Sequence, residues 1–249
     1  MDLFQAIVLG LIQGIAEWLP ISSQGQAMAV ALTYFNIPLE KAFNYSVFLH
    51  IGTLISAVIY FRKDLIQFTE LKEKKLMKFI AVALIGSAVT GIPVYFFLKE
   101  ILSQQFPFLI LIGLALIFTG LLQFKKKSRR EGKLNSLNGL ILGLAQGFSV
   151  VPGISRSGVT TSILLFEGFN PEKAFRISFL LSIPAVFLAE ILFSLSNPVE
   201  FAPEMIIAII IAAISGFISI KYLLELAKKI SFAWFAVIFG LIYLILAFI

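Results

Sequence analysis

The segment PGISRSGVT, Pro152 to Thr160, sets one arginine among three hydroxyl side chains and two glycines in a chain that is otherwise mostly apolar. An arginine so placed costs about 2.5–3.5 kcal/mol on membrane-insertion scales unless an anion meets it, so Arg156 is a candidate site residue from the start. Gly153 and Gly158 loosen the backbone, and Ser155, Ser157 and Thr160 bring hydroxyl donors, a combination suited to cradling phosphate oxygens. A second polar interruption, PISSQGQ from Pro20 to Gln26, follows Gly10, Gln13, Gly14 and Glu17. These four stand at i, i+3, i+4 and i+7, which puts a carboxylate and an amide on one helix stripe with two small residues. Chemistry at a phosphate held there would need charge neutralised on its oxygens, an oriented nucleophile and a place for a proton. Arg156 offers a planar donor fork that keeps its charge. Glu17 can act as general base or as a ligand for Mg2+ or Ca2+. Ser23 becomes a nucleophile only with a base beside it, and attack by a water that Glu17 or a metal activates stays open. Ser22 reads either as a phosphate ligand or as a helix cap.

Composition removes most other chemistries. The chain has no Cys and one His, His50, which excludes structural zinc, thiol catalysis and multi-histidine metal sites. The same counts exclude the cysteine–arginine loop of tyrosine phosphatases and the paired histidines of the acid-phosphatase type of lipid phosphatase. His50 lies on an apolar segment and reads as a packed or interface histidine. Glu190, in FLAEILF, is an intramembrane acid placed towards the outer end of its span, where water or a partner chain can reach it.

The elements that must position these residues lie in lipid. Of the 249 residues 59% are hydrophobic, 26 are Phe, and mean hydropathy is +0.97, values of a polytopic membrane protein. The net charge of +6 does not point to nucleic acid, because the basic residues sit in short runs beside apolar segments, as topology signals do. The amino terminus carries an acid where a signal peptide carries a base, so it reads as mature sequence. Six apolar stretches are long enough to cross a bilayer as helices: 43–61, 79–98, 106–124, 176–195, 204–222 and 231–249. Residues 3–35 and 136–168 are apolar but broken near their middles. Each reads as a re-entrant helical hairpin, with a pair of crossing helices as the other arrangement. All Lys and Arg of the 20 except Lys41, Lys99 and Arg156 then fall on one side, which the positive-inside rule makes cytoplasmic, with both termini outward. The KKKSRR run, residues 125–130, is a topology anchor on this reading, in contact with membrane lipid.

The two broken stretches repeat one another: VLGLIQG from Val8 answers ILGLAQG from Ile141, and PLEKAF from Pro38 answers PEKAF from Pro171. Three crossings lie between them, so the second copy is inverted relative to the first, an all-α plan in which binding sites form where the repeats meet. The expected organisation is one membrane domain over 1–249, made of repeats 1–124 and 134–249 and joined by a basic cytoplasmic loop, 125–133. Gly10 and Gly14 have counterparts in Gly143 and Gly147, suited to close helix packing and, on exposed faces, to a homodimer. Glu17 is answered by Val150 and Arg156 by Ser23, so one repeat supplies the acid and the other the cation.

At QGIAE (Gln13 to Glu17), the adjoining PISS and PGISRSGVT, the chain resembles the undecaprenyl-diphosphate phosphatase family, the integral-membrane bacitracin-resistance type. The resemblance covers essentially the whole chain. It implies six crossing helices, two re-entrant hairpins and inverted repeats. It also implies hydrolysis of a polyprenyl (undecaprenyl) diphosphate to the monophosphate, which returns the lipid carrier of cell-envelope glycan synthesis. The site would open on the outer face of the cell membrane, and a divalent cation, Mg2+ or Ca2+, would assist. By the same resemblance Glu17 matches the acidic catalytic residue and metal ligand, Ser23 the serine that is nucleophile or phosphate ligand, and Arg156 the phosphate-binding arginine. Ser22, Ser155 and Thr160 match neighbouring polar positions, and Gln13, Gln26, Gly153 and Ser157 complete the expected phosphate contacts. The chain departs from the pattern twice. Gln13 stands where the first acid can be Glu, and Gln26 stands where many members carry His. A mechanism needing an imidazole would then require His50, which nothing in the sequence places nearby. A polyprenyl-phosphate flippase without hydrolysis is the competing function.

Overall fold

Helix caps mark where each broken stretch begins and turns. The computed structural model describes residues 1–69, 73–102, 108–124, 132–196 and 203–248. The Asp2 carboxylate accepts from Gln5 N at 2.8 Å while Gln5 Oε1 accepts from Asp2 N at 3.0 Å, and this reciprocal box starts α1 (Leu3–Ala16). After Pro20 the chain turns at Ser22, held at the left-handed φ of 60°, into α2 (Ser23–Thr33). In the second copy Asn135 Oδ1 accepts from Asn138 N at 2.8 Å to start α7 (Ser136–Gly147). One 3-10 turn (Phe148–Val150) and Gly153, at φ +99°, lead to Ser155, which caps α8 (Arg156–Phe166). The arms of these two units have 14, 11, 12 and 11 residues. At about 1.5 Å per residue each of these arms is shorter than a hydrocarbon core of about 30 Å.

Between and after these units run α3 (Leu39–Tyr60), α4 (Arg62–Thr69), α5 (Lys74–Leu102), α6 (Phe108–Gln123), α9 (Pro171–Ser196), α10 (Pro203–Lys229) and α11 (Ala233–Leu246). The regular structure among the described residues is all helical, with no strand. By length and composition α3, α5, α9 and α10 are able to cross a membrane. The stretches expected at 106–124 and 231–249 are shorter helices of 16 and 14 residues, packed on one another through Gly113 and Gly240. The expected span at 106–124 begins in residues outside the described set, as does most of the expected loop 125–133 with its KKKSRR run. The expected loop after Tyr60 contains α4, and Arg176 does more there than mark topology. Its Nε donates to Asp64 Oδ1 at 2.8 Å and its Nη2 to Glu73 Oε1 at 3.0 Å, tying α9 to α4 and the start of α5.

Helix α1 lies along α10, and α7, its sequence counterpart, lies along α5. Glycine permits both approaches. A Cβ on Gly10 would come 2.6 Å from the Ala208 carbonyl oxygen and one on Gly14 2.7 Å from that of Ala212, while one on Gly143 would overlap the Ala83 carbonyl. These stripes are therefore engaged inside one chain, and the faces expected to support a homodimer are covered by its own helices. Gly143→Leu should lower the melting temperature in detergent strongly, since forcing a side chain into packed backbone costs about 1–3 kcal/mol or more. An unchanged melting curve would contradict the α5–α7 contact.

The core beneath the first hairpin is aromatic. Trp18 is buried against Phe179 with ring centroids 5.6 Å apart, and its Nε1 donates to Gly216 O at 3.0 Å, which fixes the end of α1 to α10. Phe61 and Phe175 flank the same Phe179 ring. Glu17 and Arg156 stand immediately above this floor.

Candidate active site

The tips of the two hairpins meet. Ser22 Oγ accepts from Gly25 N at 3.3 Å, capping its own helix, and from Gly153 N of the other tip at 3.1 Å. Gly153 is glycine for two reasons: its φ of +99°, and the 2.6 Å that would separate a Cβ from the Ile112 carbonyl oxygen. Ser157 Oγ donates to Leu19 O at 3.2 Å, and Thr119 Oγ1 accepts from Ser155 N at 3.1 Å, so α6 also holds the second tip. The consequence is electrostatic. The N-termini of α2 and α8 come together, each capped by a serine, and both point partial positive charge at the same place.

Glu17, at the end of α1, is the hub. Its Oε1 accepts from Arg156 Nη2 at 2.5 Å. Its Oε2 accepts from Ser23 Oγ at 2.6 Å and from Gln13 Nε2 at 3.1 Å, and His50 Nε2 lies 3.5 Å away. The Glu17 and Arg156 side chains are only 9% and 15% exposed, so the pair is one that breaks expensively: removal of one partner leaves the other charge buried and alone. The Arg156 guanidinium also lies over the Phe179 ring, 5.3 Å from its centroid, while its Nη1 has no hydrogen-bond partner. A buried donor without a partner costs about 1–3 kcal/mol, and an arriving anion would remove that cost.

A cavity of about 460 Å³ opens at this point. Its polar head is made by Glu17, Ser22, Ser23, His50, Arg156 and Ser157, and its walls by apolar side chains such as Val47, Leu84, Ile92 and Leu192. This mostly apolar lining with polar groups around Glu17 and Arg156 suits an anionic headgroup on an apolar tail.

The expected site residues divide into two groups. Glu17, Ser22, Ser23, Ser155, Arg156 and Ser157 line this cavity together. Gln13, Gln26, Gly153 and Thr160 do not. Gln13 is fully buried and turned to Glu17 and Thr53, where it orients the carboxylate. Gln26 uses its amide inside the fold, donating to Ile21 O at 3.2 Å and accepting from Tyr243 OH at 2.5 Å. Gln24, two positions earlier and so on the opposite side of α2, lines the cavity instead. Thr160 Oγ1 donates to Arg156 O at 2.8 Å and pairs with Ser178 Oγ at 2.6 Å, and Gly153 contributes backbone to the tip contact.

Two residues read differently from the sequence. His50, expected to be a packing residue, reaches Glu17 from α3; the signal was the stripe Ser46, His50 and Thr53 at i, i+4 and i+7 on an apolar helix. Glu190, expected to be reachable from outside at its helix end, is 8% exposed and lines the same cavity, and its Oε2 has no partner.

The donor set does not fit a resident divalent cation. Both Glu17 oxygens already accept from Arg156, Ser23 and Gln13, and among the described residues no group of three His, Cys, Asp or Glu is placed to hold an ion.

A family described as "Bacitracin resistance protein BacA" matches residues 6–244. A protein named undecaprenyl-diphosphatase from Methanothrix thermoacetophila is 36% identical over 250 residues, covering 99% of this chain and 97% of its own. Proteins of the same name from Methanococcoides burtonii and Sulfurisphaera tokodaii are 36% and 37% identical, covering 97% and 92% of this chain and 97% and 91% of their own.

Proposed function

Because the chain belongs to the family of bacitracin resistance protein BacA, we propose that it hydrolyses undecaprenyl diphosphate to the monophosphate and inorganic phosphate. The observation that carries this reading is the meeting of Arg156, Ser23 and Glu17 at the head of an apolar-walled cavity. The polyprenyl chain lies along the apolar walls and the diphosphate enters the polar head. Arg156 and the first-turn N–H groups of α2 and α8 take up charge on the terminal phosphoryl oxygens. Ser23 Oγ, whose hydrogen already points at Glu17 Oε2 from 2.6 Å, attacks phosphorus, and Glu17 accepts the proton. The phosphoanhydride bond breaks, and the lipid monophosphate leaves with the bonding electrons. Water then attacks the phosphoserine and regenerates Ser23, releasing inorganic phosphate. Gln13 holds the Glu17 carboxylate in place throughout.

A divalent cation belongs with the substrate on this reading. Mg2+ or Ca2+, if the reaction uses it, would be supplied with the diphosphate and would neutralise charge there, since the protein's own groups, among the described residues, lack the ligands to hold it. The positive-inside rule puts the side bearing Arg62–Lys78 and Arg176 in the cytoplasm, so the site opens outward from the cell membrane with both termini on that face.

Purified protein given undecaprenyl diphosphate should release inorganic phosphate at a rate proportional to enzyme, slowed by EDTA and restored by added Mg2+ or Ca2+. If the wild type released none while labelled lipid crossed vesicles containing it, the hydrolase reading would fail and a carrier would take its place.

A further inference from the structure

We propose that His50 is the proton acceptor behind Glu17, so that Ser23, Glu17 and His50 form a relay in that order. The inference rests on the hydrolase reading above and extends it to a residue on a third element, α3. His50 Nδ1 lies 2.9 Å from Ser46 O and 3.1 Å from Val47 O. A carbonyl oxygen accepts from a ring nitrogen only where that nitrogen carries a hydrogen, so this network puts a hydrogen on Nδ1, and in the neutral ring the lone pair then lies on Nε2. That lone pair faces Glu17 Oε2, the same oxygen that accepts from Ser23. With the ring neutral, two acceptors face each other across 3.5 Å, longer than a hydrogen bond.

The contact becomes attractive during the reaction. When Ser23 Oγ bonds to phosphorus its proton passes to Glu17 Oε2, and the new O–H points at a lone pair that nothing else occupies. Transfer to Nε2 restores the Glu17 carboxylate while the anhydride oxygen departs with its electron pair on the lipid monophosphate. Glu17 is then a base again when water attacks the phosphoserine. It takes the water's proton and returns it to Ser23 Oγ as the P–O bond to serine breaks, and the proton on His50 leaves with the products. Arg156 on Oε1 keeps the carboxylate aimed, and Glu190 faces the same cavity from α9. His50 touches no reacting atom and acts through Glu17, so its effect belongs in turnover and not in substrate capture.

Two conservative variants separate this role from a structural one. His50→Asn keeps a donor where Nδ1 meets the Ser46 and Val47 carbonyls but removes the acceptor at Nε2. His50→Gln keeps a group near Nε2 that cannot accept a proton. Both should lower kcat by about a hundredfold with KM changed by less than about twofold, the size expected for a lost proton-transfer group. Imidazole added to His50→Ala should restore turnover by about tenfold or more, since the deleted ring adjoins an open cavity. Either conservative variant retaining kcat within about threefold of wild type, or a soluble His50→Ala with unaltered KM that imidazole does not rescue, would overturn the relay. Wild-type protein that releases no phosphate would instead overturn the hydrolase reading on which it rests.

Discussion

Arg156→Lys lowers kcat/KM for undecaprenyl diphosphate by about a thousandfold while the protein stays folded. The size follows from what lysine cannot do. Removal of a single aligned donor from a developing oxyanion costs about 10²–10³ in rate, and an arginine directed at a transferring phosphoryl group is worth about 10³–10⁵. Lysine preserves the positive charge opposite Glu17, so the buried pair is not left with a lone carboxylate. It loses the planar fork, in which Nη2 grips Glu17 Oε1 while Nη1 remains without a partner. One ammonium cannot hold the carboxylate and a phosphoryl oxygen in fixed geometry at once. Phosphate release measured against substrate concentration, with melting temperature as the folding control, reads the result. A lysine variant within about tenfold of wild type would show that charge alone suffices and would remove Arg156 from the transition state.

How much of this site was visible in sequence depended on the distance between its parts along the chain. Glu17, Ser23 and Arg156 announced themselves as polar residues in oil at helix-breaking segments, and the repeat of VLGLIQG in ILGLAQG paired the two segments across more than half the chain. The paired glycines pointed to tight packing, and they do pack tightly, though on α10 and α5 of the same chain. Local spacing did not show which way a hairpin residue turns once the tips dock. Gln26 sits in the motif beside Ser22 and Ser23, yet its amide is taken by Ile21 O and Tyr243 OH, the latter 217 positions away. The place of His50 was hidden for the converse reason. It is isolated in sequence, and only the crossing of α3 beside the first tip brings it to Glu17. All six apolar runs hold helices, but only α3, α5, α9 and α10 are long enough to cross a membrane, while α6 and α11 are shorter.

Glu17→Gln should separate binding from turnover in the opposite direction to Arg156→Lys. Glutamine keeps the size and the acceptor oxygen of the carboxylate, so Ser23 and Gln13 retain a partner nearby. It cannot take the serine proton, and the loss of the base leaves Ser23 a weak nucleophile. Turnover falls by about a thousandfold or more, within the range for triad-type groups that act as a unit. Binding should move the other way. In the wild type Arg156 is neutralised by Glu17 at 2.5 Å, and a neutral amide releases that charge to the diphosphate. Substrate affinity, read by competition with a non-hydrolysable diphosphate lipid, is expected to rise in Glu17→Gln and fall in Arg156→Lys. A Glu17→Gln protein that turned over within about tenfold of wild type would place the base elsewhere in the cavity, with the unpartnered Glu190 carboxylate the first group to examine. Loss of turnover with weakened binding would mean that Glu17 serves to position Arg156 for the diphosphate, and that its charge is needed for capture before any proton moves.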